Sequence, residues 1–312
     1  MNMNRKVYTV GAGLMAACMA AATASAQTYM VFEYGASAGA VSQVSVANLA
    51  PNWVATGVRN SAGDVELITW ESNGTALTRK GSAVGGATMN AGMATVCLSP
   101  TRVVTGVVNP SGSLELTLWS VNASGAVTLG SSNLGEFAKN VRMTKLDSNR
   151  VVTAVEDSVG QLYVSVFTVS SSGFIEVSTT GGVTAATIAA VTALSPSQVV
   201  TAIRNSAGDL QLDSWSVSAT NVIAHQATNN AGAVNQLDIT AWADAGHVAT
   251  PVVNSGGKLE VIDWTVSPST GAITRESSST VGSASLVAAS TIVGLHRGGR
   301  LRWQGGCGRL GI

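Results

Sequence analysis

The sequence predicts an all-β fold, a β-propeller of about six four-stranded blades, five complete and one split or incomplete. Three observations carry this. One unit recurs five times with a period of 48–49 residues, its apolar positions alternate with a period of two, and polar clusters containing Gly separate the alternating runs.

The recurrence is read by aligning the chain on itself. VATGVRNSAGDVELITWE from Val54, VVTGVVNPSGSLELTLWS from Val103, VVTAVEDSVGQLYVSVFT from Val151, VVTAIRNSAGDLQLDSWS from Val199 and VATPVVNSGGKLEVIDWT from Val248 are copies of one unit. Thr56, Thr105, Thr153, Thr201 and Thr250 stay in step with Gly63, Gly112, Gly160, Gly208 and Gly257. The aromatic residues Trp70, Trp119, Phe167, Trp215 and Trp264 keep the same step.

Each unit opens with a VVTAV-like strand. The cluster N-S-A-G-D that follows predicts a hairpin loop, with Asn or Asp capping its own turn and Gly supplying a positive φ. The next run alternates, as Leu114 and Leu116 or Leu210 and Leu212 do, and ends in the aromatic residue. A second turn, Asn73-Gly74 or Ala123-Ser124-Gly125, leads to a third strand such as ALTRKG or AVTLG. A fourth apolar run, VRMTKLD or ASLVAAS, closes the unit, and Ser99-Pro100 or Ser195-Pro196 introduces the next. Four short strands in about 48 residues is the size of a propeller blade, and the aromatic residue is expected to fill the gap between neighbouring wedges.

The ends depart from the pattern. Residues 1–26 read as a secretory signal: Arg5 and Lys6, an apolar run from Val10 to Ala22, then Ala24-Ser25-Ala26. A lipoprotein is the variant, since Met15 to Cys18 faintly resembles a lipobox. The propeller domain is placed at 27–295. Tyr29 to Ala50 precedes the first full copy and is expected to supply the last two strands of the split blade, its inner strands coming from the C-terminus. Residues 296–312, HRGGRLRWQGGCGRLGI, lack both alternation and the Thr marker. Two readings of this tail are open, a genuine basic tail or the remnant of a shifted reading frame.

Removal of the signal leaves 15 basic against 17 acidic groups, so nothing draws the chain to nucleic acid or an anionic membrane. It leaves no integral membrane segment either. Cys97 and Cys307 are the only remaining thiols, which excludes a disulfide framework, and Cys97 reads as a small core residue. No metal and no cofactor is expected, because His225 and His247 have no ligand partners at metal spacing and no P-loop, Rossmann or G-x-S-x-G pattern occurs.

Chemistry on a propeller gathers on loops over one face, where equivalent positions of the blades meet. Three residues after each Thr stand Arg59, Val108, Glu156, Arg204 and Val253, so Arg59, Glu156 and Arg204 are candidate binding residues. Asp213 and Asp263 interrupt the apolar pattern beside their Trp residues, an outward solvated face being the simpler account. Trp53 and Trp242 lie off the repeated aromatic position and are candidates for stacking on a sugar ring. No catalytic residue is assigned.

Through V-V-T-A-V/I, N-S-x-G-x-L and the Trp position, the units resemble repeats of secreted bacterial β-propeller proteins of unassigned function. The signal implies a secreted or periplasmic location. The expected function is a non-catalytic binding or scaffold protein acting through its rim loops on a protein or glycan ligand. The alternatives are an extracellular glycan-binding lectin, or a polysaccharide lyase or glycoside hydrolase using Glu156 with a neighbouring Asp.

Overall fold

The computed structural model describes residues 36–289 apart from 38, 90, 172 and 243–245. The signal, the tail and His296 lie outside these residues. Among the described residues all regular structure is strand, paired antiparallel throughout, in five successive four-stranded units.

The first unit is β1 (Gln43–Ala50), β2 (Trp53–Arg59), β3 (Asp64–Ser72) and β4 (Leu77–Thr88), and the second is β5 (Ala91–Ser99), β6 (Arg102–Val108), β7 (Ser113–Val121) and β8 (Val127–Phe137). The third runs through β9 (Asn140–Asp147), β10 (Arg150–Glu156), β11 (Gln161–Ser170) and the first half of β12 (Gly173–Ser195). The rest of β12 opens the fourth unit, followed by β13 (Gln198–Asn205), β14 (Asp209–Val217) and the start of β15 (Ile223–Leu237). The end of β15 with β16 (Thr240–Ala241), then β17 (His247–Asn254), β18 (Lys258–Val266) and β19 (Ile273–Ser283), makes the fifth.

This phase corrects the expected unit boundary. VRMTKLD lies in β9 and pairs with β10, so it opens the following sheet instead of closing the preceding one. Likewise β1 pairs with β2, so Gln43 to Ala50 begins a complete unit rather than ending a split one. Alternation identifies a strand without naming its neighbour, and the link from β8 to β9 is only Ala138-Lys139, too short to mark a boundary.

The first strands of consecutive units pack side by side: β1 on β5, β5 on β9, β9 on β12, and β12 on β16. Thr144 Oγ1 accepts from Ala193 N and, 48 residues on, Thr192 Oγ1 accepts from Ala241 N, both at 3.2 Å. Several twisted four-stranded sheets laid against one another through their first strands are consistent with a β-propeller.

The recurring turn is geometry. The side-chain oxygen of Asn60, Asn109, Asp157, Asn205 or Asn254 accepts two backbone N–H groups across its turn. The Gly that follows has a positive φ, 90° at Gly63 and 88° at Gly208, so any side chain there is strained.

Both repeat markers belong to one bond. Trp70, Trp119, Trp215 and Trp264 are buried, the last three between units, and each indole Nε1–H donates at 2.8–2.9 Å to the Thr Oγ1 fourteen residues earlier, on the neighbouring strand. In the third unit Phe167 has no donor, and Thr153 Oγ1 is buried without a hydrogen-bond partner. Thr153→Val is therefore expected to raise stability by about 1 kcal/mol, whereas Thr105→Val should cost about 1–3 kcal/mol by stranding the Trp119 N–H. Urea-unfolding midpoints of the two variants would have to move in opposite directions; movement in the same direction defeats the account.

Among the described residues no helix is long and apolar enough to cross a membrane.

Candidate functional site

The second strand of each unit runs from one face of the molecule to the other. Trp53 stands at the start of β2 and Arg59 at its end, roughly 20 Å apart at the rise of a strand. Arg59, Glu156 and Arg204 thus lie on the face formed by the N-S-A-G-D turns, where each pairs with or lies beside the beginning of a first strand. Trp53 and Trp242 lie at the opposite face. The five candidates are two groups, not one site.

On the turn face Glu156 is the outlier. Its side chain is 3% exposed, and burial raises its pKa above the ordinary carboxylate range, a shift opposed by the ammonium of Lys139 with Nζ 3.7 Å from Oε1. Lys139 itself is 61% exposed and lies in the two-residue link between β8 and β9. Its backbone N–H donates to the Glu156 carbonyl at 2.6 Å, which fixes the link against the end of β10. The other units carry Arg or Val at this position, so the buried carboxylate occurs once among the five described units. Arg59 points a buried Nε that has no hydrogen-bond partner, while Arg204 Nε donates to the Val234 carbonyl at 2.7 Å.

The first strands add a second opposite-charge couple. Arg142 is opposite Ala154, and Asp238 donates its N–H to the Pro251 carbonyl; Ser45, Ala94 and Ala190 occupy the corresponding places elsewhere. Burial pushes the Asp238 carboxyl up, and hydrogen bonds from the N–H groups of Ala289 and Ile239 and the charge of Arg142 act against that shift. Arg142 Nη1 donates to Asn140 Oδ1 at 3.1 Å. Lys139, Arg142 and Asp238 escaped the sequence reading because they lie in the strands and links between the conspicuous copies. The available signal was charge at a strand position that is otherwise small and neutral.

The remaining candidates have structural partners. Trp53 covers the turn of the second unit so closely that a Cβ on Gly125 would fall 2.5 Å from its ring. Trp242 is half-buried, its ring 6.4 Å from that of His247, and its Nε1 is buried with no hydrogen-bond partner. Asp213 departs from the solvated account, being fully buried, with Oδ2 accepting from Gln211 Nε2 at 2.9 Å and Oδ1 lying 3.2 Å from His225 Nε2. The β14–β15 pairing with its bulge at Trp215 brings this Asp and His together, which linear spacing does not reveal. Asp263 is half-buried. Cys97 is half-buried, and burial pushes its thiol up to about 12, so it is a poor nucleophile. Among the described residues no three His, Cys, Asp or Glu side chains gather as metal ligands.

No protein-family model and no curated protein matches the sequence. Solved structures do match. A functionally unknown protein from Desulfotomaculum acetoxidans aligns with a TM-score of 0.57 and 13% identity over 78% of this chain and 71% of its own. The periplasmic gluconolactonase of Pseudomonas aeruginosa aligns with a TM-score of 0.52 and 10% identity, covering 76% and 71%. A candidate 6-phosphogluconolactonase from Bacteroides fragilis gives a TM-score of 0.52 and 11% identity, covering 77% and 71%. At such identities the likeness establishes the fold.

These neighbours correct the expected function. The non-catalytic binding or scaffold reading rested on a want of clustered polar residues in the repeat. Two of the three neighbours are named for lactone hydrolysis, and the turn face sets the buried Glu156 carboxylate beside the Lys139 ammonium, a cation that the repeat alignment passed over.

Proposed function

We propose that the chain is an exported hydrolase of cyclic esters, a lactonase built on a β-propeller. The observation that carries it is the buried Glu156 carboxylate beside the Lys139 ammonium on the turn face. Two neighbours named as lactonases, one of them periplasmic, support the substrate class and the location.

Hydrolysis of a lactone needs a base for water and a cation for the oxyanion. Glu156, with its affinity for protons raised by burial, takes a proton from water as the water oxygen bonds to the lactone carbonyl carbon. Lys139 faces the negative charge that develops on the carbonyl oxygen. The ring C–O bond then breaks, the departing oxygen takes the proton from Glu156, and the product is an open hydroxy acid. Water is the sole co-reactant. Arg59 and Arg204 add positive charge to the same face.

Purified protein assayed with glucono-1,5-lactone in a pH-stat should exceed the spontaneous rate, and Glu156→Gln should lower kcat/KM by about 10²-fold or more. The rate should fall as pH drops through the raised Glu156 value, because the protonated acid is no base. Stability has the opposite slope. The native state holds the Glu156 proton more tightly than the unfolded chain, so this residue's contribution weakens as pH rises from the ordinary Glu value through the raised one. Glu156→Gln should consequently unfold at higher urea than the parent at neutral pH. A parent rate equal to the spontaneous one, or full activity in Glu156→Gln, would end the proposal.

A further inference from the structure

We infer that the lactone this site takes carries an apolar substituent, an alkyl or aryl chain, in place of a wholly hydroxylated ring; this rests on the hydrolase reading above. A groove of about 480 Å³ opens on the turn face between the second and third units. Lys139, whose ammonium faces Glu156, forms part of its lining, so the groove reaches the cation of that pair. Its other walls include Ala91, Val108, Phe137 and Ala138. Val108 stands where the first and fourth units have Arg59 and Arg204, which leaves an apolar wall here beside the Lys139 cation.

Phe137 is 70% exposed at the end of β8, and Val159 is 76% exposed in the turn whose Ser158 lines the same groove. Phe137 and Val159 are the two most exposed large hydrophobic side chains among the described residues, and both stand beside a groove that contains a Lys. An ester carbonyl whose oxygen meets the exposed Lys139 ammonium puts its substituent against them. A groove of this volume is within the range that holds a small molecule. Burial of each added methylene there is worth about a fourfold gain in affinity.

The test is a homologous series from γ-butyrolactone to γ-decalactone, assayed with the full chain and with Phe137→Ser and Val159→Ser, both exposed positions whose change leaves the core intact. The expected result is a kcat/KM that rises severalfold per methylene in the parent, and a flatter rise in Phe137→Ser. A rate that ignores chain length, or a slope that Phe137→Ser leaves alone, overturns the apolar subsite while the hydrolase reading stands. If no lactone is turned over, the hydrolase reading falls, and calorimetry with the product 4-hydroxydecanoate decides the groove. Binding weakened by Phe137→Ser retains it, and absence of binding removes it.

Discussion

Trp119→Ala will lower the free energy of unfolding by about 3–5 kcal/mol, seen as a fall in the urea midpoint at an unchanged m-value. The side chain is fully buried within an apolar cluster that spans the first and second units, including Leu67, Val65 and Val103. Its removal leaves a cavity between two sheets, and each sheet is held in place by its own strand pairing and closes on the void only partly. The Thr105 hydroxyl also loses its donor. Trp119→Phe separates the two contributions. It keeps most of the apolar contact and puts Thr105 in the position that Thr153 occupies in the third unit, so the loss should be only about 1–2 kcal/mol. Equal losses for Ala and Phe would show that the hydrogen bond, not the packing, dominates.

Gly125→Ala is expected to be nearly as damaging, at about 2–5 kcal/mol. Gly125 has a φ of 85°, which strains any residue with a Cβ. An added Cβ would also fall 2.5 Å from the Trp53 ring and 2.6 Å from Lys80 Cβ, across the seam between the first two units. Its carbonyl accepts from Thr69 Oγ1 at 2.5 Å, so the turn cannot simply swing away. Trp53→Ala in the Gly125→Ala background should recover part of the loss, since it removes one of the two collisions and none of the backbone strain. Strict additivity of the two substitutions would place the seam elsewhere.

Strand identity, the Asn and Gly turns and the buried aromatic position were legible in the sequence, because each is written by local chemistry that repeats. Sheet membership was not. The pairing partner of VRMTKLD is fixed by whichever edge is free when the strand arrives, and alternation is the same on either side. The Thr marker was visible as a conserved step along the chain, yet its tie to Trp depends on antiparallel registry that places residues fourteen apart across from one another. For the site, the position of Glu156 at the end of its strand could be read, but its burial could not. That burial comes from the turn and the Ala138-Lys139 link folding over the end of β10. Asp238 and Arg142 become noticeable only when the first strands are superposed in space.

The continuous strands β12 and β15 serve two sheets each, changing partners without leaving the extended conformation. A genetic duplication copied from Thr to Thr therefore need not respect the edges of a sheet. Whichever residue the copying starts from, 48 or 49 residues bring the backbone back to the same place one unit further round, with the same partners offered on both sides. The architecture can gain or lose members by recombination at points inside a strand, and a boundary of duplication need not coincide with a boundary between sheets.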